Sequence, residues 1–326
     1  MLETDASTLL RWRQAIDRRK SVRRFEGVSL DHDTVAALEK ACESCTHLPG
    51  GRARVVPVNG LGAAQRIFHW LPWGIATLIH HASLVFVILS SGSPHDPEDA
   101  GFCGEQVVLE ACSRNVGTCW VSGTFNRKAA LSLAGPEPGE RMICVIAAGP
   151  AHPAAASRHK HKKDFTQICN MPPDELPVWI RDAVGCVRVA PSGTNLQPWW
   201  FEVRDGAAAG TGGDAAAGTA DSPAPVPRVV LWPHRPGPVA LHSGFLLSKV
   251  GPRRIDRGIA MLHFAVGAAA WGVAGHWSLQ ERVDRGAAAR FFVEGQDSGR
   301  RKIDAENPEH GAYDERRGVC EGPGSQ

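Results

Sequence analysis

The sequence carries almost no surplus of charge of either sign: 36 Lys and Arg residues face 34 Asp and Glu, a formal net charge of +2 over 326 residues. A general nucleic-acid binder needs a large basic excess, so the balance does not point to that class and any basic function must be local. A long uninterrupted apolar run is also missing. The longest, residues 70–89, is broken by Pro72 and by His80-His81, whereas a bilayer span needs roughly 20 apolar residues in succession. A buried helix followed by a strand is expected there instead. The opening residues Met1-Leu2-Glu3-Thr4-Asp5 are acidic and lack an apolar core, so no secretory signal is expected. The nine cysteines are odd in number and scattered, which argues against a disulfide framework and for a reducing compartment. These absences lead to the expectation of a soluble, cytoplasmic protein that neither spans a membrane nor binds nucleic acid.

With 43% hydrophobic and 21% charged residues, the composition is that of a globular chain long enough for one large or two small cores. Apolar spacing predicts helices over residues 9–20 and 33–45, with Val35, Leu38 and Ala41 on the inner face of the second. A β-prone run over 84–89 reads as a strand covered on both faces, followed by a helix at 102–116 and a strand at 143–147. After Pro150 the pattern begins again. Pro172-Pro173-Asp174 opens a predicted helix to about Val189, with Asp174 near its start, and strands are expected at 199–203 and 229–232. Residues 259–277 are apolar almost all round, the mark of a helix enclosed on every side, and their many Ala and Gly permit close packing. The stretch 206–220 is Gly- and Ala-rich and reads as part of an inserted loop, and the chain turns polar from about residue 295.

The restart reads as an internal duplication. Sliding residues 101–120 onto 258–277, an offset of 157, matches Gly101 with Gly258, Ala111 with Ala268, Val116 with Val273 and Trp120 with Trp277. Arg18 to Phe25 lies over Arg158 to Phe165 at offset 140, and Leu48 to Gly51 over Ala190 to Gly193 at offset 142. All three correspondences keep the same order.

Two segments are chemically loaded. Arg18-Arg19-Lys20-Ser21-Val22-Arg23-Arg24-Phe25 ends a predicted helix. Arginine forks and a serine hydroxyl suit a phosphate monoester with its acceptor oxygens, although taken alone the run reads as a solvated basic face or a nucleic-acid patch. The second is Ala190-Pro191-Ser192-Gly193-Thr194-Asn195-Leu196-Gln197-Pro198-Trp199-Trp200-Phe201, a turn-rich loop leading into an aromatic strand. Its amides both donate and accept, the chemistry needed at the imide edge of a flavin ring; the alternative is an ordinary helix-to-strand turn anchored by tryptophan.

At these residues the chain resembles the nitroreductase family that depends on flavin mononucleotide (FMN). The first segment resembles its opening Arg-x-Ser phosphate motif and the second its Pro-Ser-x-x-Asn-x-Gln-Pro-Trp motif. Gly117 to Phe125 is similar to the helix-ending loop that lies along the flavin, which implies Ser122 and Gly123 near the reactive N5. Ala147-Ala148-Gly149-Pro150 with the basic residues 158–163 is similar to the segment completing the phosphate site. The likeness spans roughly residues 10–280. The family's enzymes are usually homodimers with FMN in the interface, one motif coming from each subunit. Here the first half keeps Arg19, Lys20 and Ser21, yet at offset 142 it has Ala53 and Val55 where Asn195 and Gln197 stand. The second half keeps the amides but has His161 in place of Ser21.

The resemblance therefore implies an α+β, nitroreductase-like fold of two tandem α/β repeats fused as an intramolecular pseudo-dimer. The first half would be 1–150, the second 151–294 with an inserted loop at 206–227, and 295–326 a polar tail. One flavin site would be complete and one broken. Arg19, Lys20 and Ser21, with Arg158 and Lys160 or Lys162, would hold the phosphate and ribityl oxygens. Pro191, Ser192, Gly193, Asn195 and Gln197 would meet the ring's polar edge, and Ser122 and Gly123 its N5. No side chain is nominated as acid or base, because hydride chemistry belongs to the cofactor.

The implied activity is transfer of hydride from NADH or NADPH through FMN to a small electron-poor acceptor, a nitroaromatic or a quinone. A protein that merely stores or senses FMN is the alternative, and a binder of nucleic acid or acidic protein a more distant one. Fusion removes the need to dimerise, so a monomer is expected. Cys42-x-x-Cys45 has no second pair at zinc-like spacing and reads as buried or idle thiols. His80-His81 reads as structural, and His159 and His161, among lysines, suit an anion better than a metal. Of the ten tryptophans, Trp70, Trp73 and Trp179 are the candidates for a substrate-pocket wall.

Overall fold

The computed structural model describes residues 2–69, 79–155, 161–204, 227–232, 252–279, 289–294, 313–314 and 319–320. Asp5 and Asp31 open the first two helices, their carboxylates accepting from the N–H groups of Thr8 (3.0 Å) and Thr34 (2.8 Å), caps worth about 1 kcal/mol each. They place α1 at Ala6–Arg18 and α2 at His32–Glu43. The following elements are β1 (Arg54–Asn59), α3 (Leu61–Phe68), β2 (Leu84–Ser90), α4 (Asp96–Ser113), β3 (Val116–Val121), α5 (Arg127–Ala134) and β4 (Arg141–Pro150). Beyond Pro150 come α6 (Val178–Arg188), β5 (Trp200–Arg204), β6 (Arg228–Trp232), α7 (Pro252–Ala270), β7 (Gly275–Leu279) and β8 (Ala289–Val293). Two short strands, Tyr313–Asp314 and Val319–Cys320, pair with each other.

β1–β4 form an antiparallel sheet of order β1-β2-β4-β3, and β5–β8 form another of order β5-β6-β8-β7. The second order is the first with each strand replaced by its counterpart four places on, and α4 and α7 stand in equivalent places before β3 and β7. The fold is thus α+β, built from two repeated α/β units. In β2, Leu84, Phe86 and Ile88 enter the large core shared with α4 and α7, while Val85, Val87 and Leu89 enter a second core under α3 and α5. Burial of both faces explains why this strand reads as a continuous apolar run.

α4 and α7 cross at two glycines. A Cβ on Gly101 would sit 2.0 Å from the Ile255 carbonyl oxygen, and one on Gly258 would sit 1.8 Å from that of Glu98. Gly101 and Gly258 differ by 157, and so do Glu98 and Ile255. The two contacts are the same contact seen from opposite sides of a pseudo-twofold axis, and the duplication is built into the centre of the molecule. Gly267 likewise brings α7 against Ala183 of α6, where a Cβ would lie 2.6 Å from the Ala183 Cα.

Several predicted boundaries move. The helices expected at 102–116 and 259–277 begin earlier and stop at Ser113 and Ala270, so Trp120 and Trp277 lie in strands. The breaks are Asn115 (φ 61°) and Gly272 (φ 70°), both in the left-handed region that ends helices. The helix expected from Pro172 starts at Val178, because Pro173–Glu175 forms a separate 3-10 turn and Pro177 is the N-cap. β1, β3, α3, α5, β7 and β8 are additional to the expected elements. The helix expected early in residues 70–89, the loop 206–227 except Pro227, and nearly all of the polar tail lie outside the described residues. Among the described residues no helix is long and apolar enough to cross a membrane.

Candidate functional site

After α1 the chain runs extended along the edge of β3. Val22 N–H donates to the Thr118 carbonyl (2.8 Å), Ser21 bridges Thr118, and Glu26 N–H reaches the Pro150 carbonyl (2.9 Å). Gly117 permits the approach, since a Cβ there would meet Val22 at 2.9 Å. This strap brings Arg19, Ser21 and Arg23 into the lining of a cleft of about 290 Å3, just below the range of roughly 300–1,000 Å3 typical of small-molecule sites. The loop Pro191–Asn195, Ser122 and Gly123 after β3, Cys144 of β4 and Asp256 of α7 line the same cleft. Both halves of the chain contribute.

Nine of the residues expected at the site line this cleft: Arg19, Ser21, Ser122, Gly123, Lys162, Pro191, Ser192, Gly193 and Asn195. Lys20 is exposed and outside its lining. Gln197 is 2% exposed and also outside it. Its Oε1 accepts from Lys163 N–H (2.9 Å) and its Nε2 donates to the His161 carbonyl (3.2 Å). The amide expected at a flavin edge is therefore committed to tying down residues 161–163. Arg158 and Lys160 lie outside the described residues.

The loop is held in a costly shape. Thr194, Asn195 and Gln197 have φ of 51°, 62° and 48°, left-handed geometry that costs about 1–2 kcal/mol for each residue with a Cβ. Its ties are correspondingly many. Ser192 Oγ accepts from Gln197 N–H (3.0 Å), Asn195 Nδ2 donates to the His161 carbonyl (2.7 Å), and Gly193 N–H donates to Asp256 Oδ1 (2.9 Å). The Lys162 ammonium donates to the Val189 and Ala190 carbonyls at 3.1 and 3.0 Å, closing the C-terminal end of α6, where cations are favoured. Burial pushes the Lys163 ammonium below its ordinary range.

Arg19 Nε is buried without a hydrogen-bond partner, its nearest ion pair being Glu105 at 3.9 Å. Glu105 is itself taken by Trp120 Nε1 (2.7 Å) and by His263 Nε2 (2.9 Å). Asp256, which sequence reasoning missed, is 3% exposed. Its Oδ1 has the Gly193 N–H, its Oδ2 has no partner, and burial pushes the group up to about 7. The neighbouring Cys144 thiol is pushed up to about 12 by burial, partly countered by Arg127 and reinforced by the Asp256 charge. In the sequence Asp256 sits among Arg253, Arg254 and Arg257 and reads as a surface charge. The one available signal is its offset of 157 from Asp99.

Asp99 occupies the equivalent place in the first half and meets a different loop. Fully buried, it accepts from Leu48 N–H (2.7 Å) and Ala53 N–H (2.9 Å), and His47 Nδ1 lies 2.7 Å away. A Cβ on Gly51 would sit 2.3 Å from its carboxyl carbon. The carboxylate thus fills the space inside this loop. His47, Asp99 and Cys103 present ligand atoms within 4.8 Å of one another, but the Asp99 oxygens are occupied by donors and burial pushes the Cys103 thiol far up, so the group reads as a hydrogen-bonded plug. Of the Cys42-x-x-Cys45 pair, burial raises the Cys42 thiol and Cys45 Sγ donates to the Ala41 carbonyl (3.1 Å). His80 and His81 pack with His69. Trp179 packs edge-on against Phe264, its ring centroid 6.3 Å away, and is not part of the cleft wall; Trp70 and Trp73 lie outside the described residues.

A solved structure of a putative nitroreductase from Thermotoga maritima MSB8 is similar, with a TM-score of 0.53 at 17% identity over 87% of this chain and 94% of that one. A nitroreductase with bound FMN from Bacteroides fragilis NCTC 9343 covers 50% of this chain and 97% of its own, with a TM-score of 0.40 at 17% identity. No curated protein matches the chain. The family model described as "Putative TM nitroreductase" matches residues 12–268, well over half of the length. The chain belongs to that family and is a nitroreductase-like oxidoreductase.

Proposed function

We propose that the chain is an FMN-dependent oxidoreductase that takes hydride from NADH or NADPH and passes it to a small electron-poor acceptor, a nitroaromatic or a quinone. The observation that carries this reading is one cleft lined both by Arg19 and Ser21 and by Ser192, Gly193 and Asn195. The groups present fit a flavin nucleotide. A buried guanidinium nitrogen without a partner and an adjacent hydroxyl suit phosphate or ribityl oxygens, and backbone turns with a nearby amide suit a flat heterocycle with a polar edge.

In this reading Arg19 and Ser21 bind the phosphate and ribityl end, joined by Arg158 and Lys160 of the second half's basic segment, while Lys20, outside the cleft, adds only positive charge nearby. Lys162, in the segment before α6, lines the same cleft while its ammonium holds the Val189 and Ala190 carbonyls. Pro191, Ser192, Gly193 and Asn195 border the ring, and Gln197 acts at one remove by fixing residues 161–163 against the loop. Ser122 and Gly123 face the reacting edge. Bound FMN supplies the hydride chemistry; the chain supplies position and electrostatics. The functional units are residues 1–150 and 151–294, both needed for one site, which leaves no demand for a second chain.

The test is spectroscopic. Purified protein mixed with NADH or NADPH under nitrogen should lose the yellow absorbance of its bound flavin, and a nitroaromatic or quinone should restore it. A yellow protein that stays oxidised with both nicotinamides would refute the reductase reading.

A further inference from the structure

Asp256 is the one buried acid of the cleft wall, and its surroundings are unlike those of an ordinary buried carboxylate. A buried charge is normally paired or surrounded by donors. Asp99, at the equivalent place in the first half, has two backbone N–H groups and His47 around it. Asp256 has the Gly193 N–H on Oδ1 and nothing on Oδ2, and among the described residues no cation forms an ion pair with it. The other titratable and charged groups lining the cleft are Cys119 of β3, Cys144 of β4, Lys162 from the segment before α6, and Arg19 and Arg23 from the strap after α1. Glu98 of α4 is taken by Arg254 and Arg257 of Asp256's own helix. The Lys162 ammonium is directed at two carbonyls, and the Arg19 guanidinium is nearest Glu105.

We propose that Asp256 enters the site as a neutral carboxylic acid, its Oδ1 held by Gly193 and its Oδ2–H donated to an anionic occupant of the cleft. This rests on the FMN reading above and extends it. A dianionic phosphate or an electron-rich ring edge repels a carboxylate and accepts from an acid, so occupancy favours the protonated form. Where the empty protein holds Asp256 ionised, binding takes one proton from solvent onto Oδ2. The hydrogen bond from Gly193 then couples that proton to the strained loop that borders the ring. Burial, which raises the group to about 7, puts the exchange near neutral pH.

The experiment is titration of FMN into flavin-free protein, followed by quenching of FMN fluorescence, for wild type and Asp256→Asn at about pH 7 and about pH 8.5. FMN's phosphate, with a second pKa of about 6, is already ionised across this window. Asparagine keeps an acceptor for Gly193 and a donor in place of the acid proton, and does not titrate. Wild-type affinity should fall about tenfold or more across the window, as expected for uptake of one proton, while Asp256→Asn should change by less than about twofold. Calorimetric titration of wild type alone at about pH 8, in buffers of different ionisation enthalpy, should independently report uptake of about one proton per FMN. A flat wild-type profile, a slope that survives in Asp256→Asn, or no proton uptake overturns the proposal and leaves the cofactor reading standing. Absence of FMN binding by both proteins at every pH overturns both.

Discussion

The loops Leu48–Ala53 and Pro191–Asn195 occupy equivalent places in the two halves, and each is faced by an aspartate from the long helix that follows. In the first half the chain closes around Asp99, with Leu48 and Ala53 donating to its two oxygens and Gly51 leaving no room for a side chain. In the second half one backbone N–H reaches Asp256, and the rest of the loop stands away to leave a cleft. The same acid has thus been used once as a plug and once as a wall, against loops whose backbones differ: Thr194, Asn195 and Gln197 have positive φ, and Arg52, Ala53 and Val55 at the corresponding positions do not. The difference lies in how many donors each loop turns inward. A fused duplication needs only one working site, and the other is free to become core.

The largest expected effect tests the symmetry on which this comparison stands. Gly101→Ala and Gly258→Ala each drive a methyl into a helix carbonyl that cannot rotate away. Each should cost about 3 kcal/mol, the upper part of the range for overpacking, and by similar amounts in chemical denaturation. A cost confined to one of them would break the symmetry.

The two aspartates should then part company. Asp99→Asn loses an acceptor for a buried N–H group and should destabilise by about 3 kcal/mol. Asp256→Asn should stabilise by about 2 kcal/mol at about pH 8, because it removes a buried charge with one donor. The sign follows from the raised value of Asp256: the folded state binds the proton more tightly, so wild-type stability is greatest below the unfolded carboxyl value of about 4 and is lost as pH rises to about 7. The advantage of asparagine should shrink over that window on acidification, and thermal unfolding at several pH values measures it. The smallest effect belongs to His47, which is partly exposed and raised above its usual range by its hydrogen bond to Asp99. Its contribution is present below about pH 6.5 and lost as pH rises through the raised value. His47→Ala should therefore be mildly destabilising in acid and nearly neutral in base.

Much of this was legible in the residues. Gly101 and Gly258, 157 residues apart, carry the duplication in the sequence, and Arg19, Ser21, Ser192, Gly193 and Asn195, singled out by the resemblance, line one cleft. The strands after α4 and α7 were hidden because hydrophobicity runs unbroken from helix into strand. The change of period occurs at Asn115 and Gly272, single residues whose left-handed geometry does not show in an apolar pattern. Gln197 was assigned to the ring because an amide's partners cannot be read from its spacing, and the partner it has is the main chain at 161 and 163. Asp256 was overlooked for the opposite reason. Flanked by arginines, it looks solvated until the α4–α7 crossing turns it inward.

On the proposed function, the chain builds one flavin site from two halves and has closed the other. Counting the cofactor tests it most directly: denature protein saturated with FMN and freed of excess, and measure flavin absorbance against chain concentration. One FMN per chain is predicted. Two per chain would mean that the loop around Asp99 opens to a ligand after all, and none would mean that Arg19 and Asn195 share a cleft for some other purpose.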